Sequence, residues 1–240
     1  MIRVDGKEVY MELSELVDPS HSALVLIDMQ NDFAEKGGAY DQLGVDLSAY
    51  PQLRRNLGGL LECARRAGLM VVHVQMTTLP GRRSDSAAQI RFNLRMHEGF
   101  RRGGPPLTYT VEGTWGHEFL AGFEPGEGEF VVTKWRSSAF WGTNLAQLLR
   151  SNRIETVVVT GLTTEGCVES TARDAMFNDL YVVIPEECVA SDDLAQHEAS
   201  MLLMRHRFDV VPAADVAKIW ESSLGAKEAR EFGGEEGEGG

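Results

Sequence analysis

The chain has 240 residues, 43% of them hydrophobic, and a formal net charge of −13 at pH 7. That length and apolar content can bury one substantial core, and the acidic balance disfavours nucleic acid and anionic membrane surfaces as partners. No apolar run approaches the ~20 residues that span a bilayer, and the N-terminus MIRVDGKEVYMEL lacks the apolar stretch of a signal peptide. Three cysteines, Cys63, Cys167 and Cys188, with no C-x-x-C pair argue against a disulfide framework and for a cytoplasmic protein.

In chain order, residues 1–19 form an arm ahead of the main domain, residues 20–224, with Val4, Val9, Tyr10 and Leu13 available to pack on the domain edge or a neighbour. Short runs of β-branched and aliphatic residues then alternate with helical periodicity. The pattern predicts strands at Ala23–Ile27, Leu69–Gln75, Glu129–Thr133, Thr156–Thr160, Tyr181–Ile184 and Phe208–Val211. It predicts helices at Tyr50–Ala67, Gly142–Ser151, Cys167–Asn178, Leu194–His206 and Ala213–Ser222. Gly68 and Asn152 read as C-caps, and Asp192 or Asp193 as an N-cap. Alternation of this kind is the signature of a three-layer α/β/α, Rossmann-like fold with a six-stranded, mostly parallel sheet. No G-x-G-x-x-G follows the first strand, so no dinucleotide is implied. Residues 225–240, ending in EFGGEEGEGG, have little to bury and read as a disordered acidic tail.

The interval Thr77–Val111 breaks the alternation. It carries Arg82, Arg83, Arg91, Arg95, Arg101 and Arg102 against Asp85 and Glu98. It reads either as a solvated helix and loop or subunit contact, or as a segment that holds an anionic substrate group.

Three strands each end in a different reactive group. ALVLID delivers Asp28, FVVTK delivers Lys134, and VVVTG leads through a small-residue turn to Cys167 as a helical pattern begins. In an open parallel sheet the crevice outside the carboxyl ends of the strands is where ligands bind, so the three groups should converge. A cysteine at a helix start can be a small core filler. Beside unpaired N–H groups and a lysine, it is instead expected to have a lowered pKa and to react as a thiolate.

LVLIDMQNDF at Leu24–Phe33, VVTKWRSSAFWGTNL at Val131–Leu145 and VVVTGLTTEGCVESTARDA at Val157–Ala175 resemble the motifs of the cysteine-hydrolase branch of the isochorismatase-like hydrolase superfamily. The resemblance spans roughly Ser22 to Pro212. That branch includes nicotinamidase and the N-carbamoylsarcosine, ureidoacrylate, maleamate and biuret amidohydrolases. It implies a catalytic triad of Asp28, Lys134 and Cys167, a cis peptide at Leu162–Thr163 and an oxyanion hole from the backbone N–H groups of Thr163 and Cys167. The implied activity is hydrolysis of a C–N bond in a small amide or ureido substrate through a thioester, by a homo-oligomer without a cofactor. Isochorismatases that cleave a vinyl ether lack the cysteine.

Some nicotinamidase-like members bind a metal through Asp-x-His-x-x-His after the second strand, where this chain reads HVQMTTLPG from His73 to Gly81. No metal is expected, and His73 reads as a strand histidine satisfied in the core. Phe33, Trp135, Phe140 and Trp141 could enclose a substrate or belong to the core. Ser138 and Thr143 are expected to order a turn, and Thr163 and Thr164 could bond a polar substrate head. A nicotinamide-like neutral amide is an alternative substrate. A redox-active thiol protein and a non-catalytic scaffold on the same fold also stay open.

Overall fold

The computed structural model of the chain describes residues 1–96 and 108–233, with side chains described through residue 224. β1 (Ile2–Val4) and β2 (Lys7–Val9) pair as an antiparallel hairpin. The main sheet contains β3 (Ser22–Ile27), β4 (Met70–Met76), β5 (Phe130–Lys134), β6 (Thr156–Leu162), β7 (Tyr181–Pro185), β8 (Val189–Ala190) and β9 (Asp209–Val211). Its order is β5-β4-β3-β6-β7-β9, with β8 beside the end of β6, and every pairing among the described residues is parallel. The sheet thus has seven strands rather than six. The extra strand, β8, is two residues long, too short to register as a periodicity.

The helices are α1 (Leu13–Leu16), α2 (Asn31–Ala34), α3 (Ala39–Gln42), α4 (Tyr50–Ala67), α5 (Ala87–Met96), α6 (Leu145–Ser151), α7 (Glu169–Phe177), α8 (Leu194–Arg205) and α9 (Ala213–Gly233). None is long and apolar enough to cross a membrane among the described residues. The period-two alternation of β3 divides the core between the two faces of the sheet. Leu24 and Leu26 pack with Leu53, Leu57 and Leu61 of α4 and with Trp220 of α9. Ala23, Val25 and Ile27 pack with Leu145 and Leu149 of α6, Ala172 of α7 and Met201 of α8. Helices therefore cover both faces, as a parallel sheet requires.

Several ends differ from the pattern-based expectation for local reasons. α6 starts at Leu145, not Gly142, because Gly142 adopts a left-handed φ of 69° and the Thr143 hydroxyl donates to Ala139 O at 2.5 Å. α9 continues to Gly233, so residues 225–233, expected in the tail, extend the helix; residues 234–240 lie outside the described residues. The capping expectations at Gly68 and Asn152 hold, and of the two aspartates it is Asp193 that caps α8, accepting from Gln196 N at 3.0 Å. Within the arm, Leu16 and Val17 are buried, and Trp220 Nε1 donates to Val17 O at 2.8 Å.

The strand order reverses between β3 and β6, which makes their carboxyl ends the topological switch point of the sheet. Gly161 allows the two strands to approach there. Its φ is +108°, and a Cβ on it would lie 2.1 Å from the Ile27 carbonyl oxygen. The residues just beyond Ile27 and just beyond Gly161 are thereby brought side by side.

Candidate active site

Asp28 follows β3 immediately, with its backbone at φ 53° and its N–H donating to Val74 O at 3.0 Å. Lys134 ends β5, two strands and so about 10 Å from β3. A long side chain is needed to cover that distance. It passes over the end of β4, where Nζ lies 3.6 Å from Met76 Sδ. Nζ then stands 2.7 Å from Asp28 Oδ2, 3.1 Å from Cys167 Sγ and 3.1 Å from Arg136 O. An ammonium has three hydrogens, so each has an acceptor already. The Lys134 and Asp28 side chains are 0% and 1% exposed, which fixes a cation and a carboxyl group in a dry setting beside the thiol.

Burial opposes ionisation of all three groups, and their mutual charges decide the outcome. Burial raises the Asp28 pKa while Lys134 works against that rise. Burial would depress the Lys134 ammonium, but Asp28 and Cys167 outweigh it and raise its pKa. Burial and the Asp28 charge push the Cys167 thiol up to about 12, against the opposing pull of Lys134. That direction is opposite to the lowered thiol pKa expected from the sequence. One cation faces two acids, of which the carboxyl is intrinsically the stronger. Burial and the neighbouring carboxyl therefore both oppose ionisation of the thiol, while Lys134 favours the charged forms of both acids.

Cys167 also does not begin an ordinary α-helix. Thr164–Val168 forms a π-helical turn, with Thr163 O accepting from Gly166 N and Val168 N at 3.1 Å each, and α7 starts only at Glu169. The Leu162–Thr163 peptide is cis. The Gly166 of the T-T-E-G-C stretch has a steric reason, since a Cβ there would lie 2.7 Å from Thr163 Oγ1. Ser138 and Thr143 order the turn before α6. Phe140 N donates to Ser138 Oγ at 3.1 Å, and Leu145 N donates to Thr143 Oγ1 at 3.2 Å.

Asp28, Thr163 and Cys167 open onto one pocket. Its apolar walls are Phe33, Tyr40, Met76, Phe92, Met96 and Tyr109; Gln89 and Ser137 add polar groups. Phe33 stands where the sequence suggested, 5.1 Å from the Tyr40 ring and 5.4 Å from the Tyr109 ring between centroids. The other suggested wall residues do not line it. Phe140 is in the core, Trp141 is 64% exposed over a neighbouring groove, and Trp135 is half-buried elsewhere. Thr164 is fully buried, with its hydroxyl bonded to His197 Nδ1 at 2.8 Å.

The described arginines of the interval, Arg82, Arg83, Arg91 and Arg95, are likewise outside the pocket lining. Arg82 pairs with Asp85 at 3.4 Å, and Arg83 donates to Pro80 O at 3.1 Å. Helical spacing explains Arg91 and Arg95. α5 turns Gln89, Phe92 and Met96 toward the pocket, so residues two positions after Gln89 and one before Met96 point away, into solvent. Arg101, Arg102, Glu98 and His97 lie outside the described residues. Among the described residues, Asp28 is the sole charged side chain in the lining.

The M-Q-N-D-F stretch braces these walls. Gln30 donates to Met76 O at 3.0 Å and to His117 O at 2.8 Å, and Asn31 donates to Trp115 O at 2.8 Å. Asp32 accepts from Ala39 N at 3.0 Å and Thr110 N at 2.6 Å, the neighbours of Tyr40 and Tyr109. Gly116 makes room for it, because a Cβ there would lie 2.1 Å from Asp32 Oδ1. Tyr40 and Tyr109 were missed from sequence because they come from separate segments, the short helix α3 and a loop; the polar run behind Asp28 was the available signal. His73 bonds to Glu129 at 2.7 Å, and no group of three or more His, Cys, Asp or Glu side chains that could hold a metal gathers among the described residues.

The Isochorismatase domain family matches residues 22–215 of the chain. The ureidoacrylate amidohydrolase RutB of Enterobacter sp. (strain 638) is 33% identical over 187 residues, covering 75% of this chain and 81% of its own. Among solved structures, a cysteine hydrolase from Pseudomonas syringae pv. phaseolicola shares the fold, with a TM-score of 0.71 at 23% identity over 87% of this chain and 96% of that one. The N-carbamoylsarcosine amidase of Thermoplasma acidophilum matches with a TM-score of 0.61 at 27% identity, covering 80% of this chain and 96% of that one.

Proposed function

The chain belongs to the isochorismatase family, and on that premise we propose that it is a cysteine-dependent amidohydrolase that cleaves a C–N bond of a small amide or ureido compound. The observation that carries the reading is the placement of Lys134 Nζ at 2.7 Å from Asp28 Oδ2 and 3.1 Å from Cys167 Sγ, the latter two residues lining a pocket.

Each group has one task that its surroundings support. Asp28, held ionised by Lys134, takes the Cys167 proton as the sulfur attacks the substrate carbonyl carbon. The C–S bond forms, the carbonyl π electrons move onto oxygen, and the backbone N–H groups of Thr163 and Cys167 receive that oxyanion. As the tetrahedral intermediate collapses, Asp28 returns the proton to the leaving nitrogen and ammonia or an amine departs. Water then attacks the thioester, with Asp28 accepting its proton, and the thiol is restored as the acid product leaves. Lys134 has no hydrogen left for substrate, so its contribution is electrostatic throughout.

Ammonia release from a panel of primary amides and N-carbamoyl compounds tests this. Turnover by the wild-type chain that disappears in Cys167→Ala supports it. An unreactive panel, or a variant retaining more than about a hundredth of wild-type turnover, contradicts it.

A further inference from the structure

A second depression adjoins the reacting pocket and shares Gln89, Phe92 and Ser137 with it. Its floor and sides include Arg136, Ser138, Trp141, Ser170, Arg173 and Asp174. Arg136 differs from the paired arginines of this fold. Arg65 bonds to Glu129, Arg82 to Asp85, Arg173 to Glu169 and Arg205 to Glu186. Arg136 instead donates to two backbone carbonyls, Trp135 O at 2.5 Å and Ser84 O at 3.2 Å. Among the described residues no carboxylate lies within ion-pair distance of it.

A guanidinium carries five donors, so two carbonyl bonds hold it in place and leave others to be used. Its charge is half-buried with no counter-ion among the described residues, which is a standing cost that an anion would remove. The Ser137 and Ser170 hydroxyls beside it form no hydrogen bond to the protein among the described residues. Trp141 and Phe177, 64% and 71% exposed, give the groove apolar sides for a short methylene chain. Asp174 is the opposing charge in the lining, and Arg173 is satisfied by Glu169. Arg136 is also tied to the reacting centre, since its own carbonyl accepts from Lys134 Nζ at 3.1 Å.

We propose that this groove is a carboxylate subsite with Arg136 as its principal contact, so that the preferred substrate carries a carboxylate at the end remote from the scissile C–N bond. The inference rests on the amidohydrolase reading and names its substrate class. It also replaces the arginines of the 77–111 interval with a residue of the T-K-W-R-S-S-A-F stretch as the anion-holding group.

The test compares ω-ureido acids of increasing chain length with the corresponding carboxamides, measuring ammonia release. For at least one length the acid should be preferred by about 10-fold in kcat/KM. Arg136→Gln should raise KM for that acid about 10-fold more than for its carboxamide, with kcat little affected, and Arg136→Lys should recover part of the difference. Asp174→Asn, which removes the repelling charge without touching the guanidinium, should lower KM for the acid selectively. Turnover of acids and carboxamides without discrimination, or equal effects of Arg136→Gln on both, would overturn the subsite alone. Failure to hydrolyse any member of either series would overturn the amidohydrolase reading as well.

Discussion

Lys134 Nζ lies 2.7 Å from Asp28 Oδ2, and both side chains are closed off from solvent. Because Cys167 Sγ is 3.1 Å from the same ammonium, a single cation serves two acids. The charge of Asp28 is thus both the base of the proposed chemistry and one of the causes that push the thiol pKa up.

Asp28→Asn separates those two effects. Turnover should fall by roughly 10²–10⁴ because an amide cannot take the thiol proton. The Cys167 pKa should fall as well, since the raising charge is gone and Lys134 remains. Alkylation by iodoacetamide at pH 7 should therefore be faster in the inactive variant than in the wild-type chain, whose rate should climb with pH toward ionisation at about 12. An alkylation rate in Asp28→Asn equal to or below wild type would contradict this account of the charges.

Lys134→Met leaves Asp28 as an unpaired buried carboxyl group. A loss of about 3–5 kcal/mol in unfolding free energy is expected from urea denaturation. The double variant Asp28→Asn with Lys134→Met should recover part of that loss, because the uncompensated charge is gone. If the double variant is as unstable as Lys134→Met, lost packing rather than lost pairing is responsible.

The fold was largely legible because its signals are local. The apolar run of β3, the Gly68 stop of α4 and the charged residues at the ends of β3 and β5 can all be read along the chain. The protonation state of Cys167 was not legible, because it depends on how deeply two other strands bury their own charges beside it. The pocket walls were half legible for a similar reason. Phe33 follows Asp28 directly, whereas Tyr40 and Tyr109 reach the site through bonds from the backbone to Asp32. The arginine-rich interval left two readings open because clustering in sequence says nothing of which helix face each guanidinium occupies.

Gly116→Ala tests the brace behind those tyrosines. A methyl group 2.1 Å from Asp32 Oδ1 must displace the carboxylate that holds Ala39 and Thr110. KM should rise several-fold while the iodoacetamide reactivity of Cys167 stays near wild type, since the Asp32 carboxylate bonds to Ala39 and Thr110 and not to Asp28, Lys134 or Cys167. A fall in kcat with unchanged KM would place the effect elsewhere.

Glu129 predicts a specific acid sensitivity. Burial works to raise its pKa, but Arg65, the Gly126 N–H and His73 outweigh burial and hold it at about 2, below the ordinary 4.5. A depressed carboxyl contributes stability that is fully present above about pH 4.5 and is lost as pH falls toward about 2. Thermal melts of wild type and Glu129→Gln should therefore differ most above pH 4.5 and converge toward pH 2. A gap that is constant across that range would mean that Glu129 acts through shape and not charge.

The most direct measurement of the central claim is the mass of the enzyme during turnover. Rapid acid quenching with an amide or ureido substrate that is hydrolysed, followed by intact-mass and peptide analysis, should show an acyl adduct on Cys167 that decays as the acid product appears. Cys167→Ala should show neither adduct nor product. Steady turnover with Cys167 unmodified at every quench time, together with sustained activity in Cys167→Ala, would contradict nucleophilic catalysis by this residue.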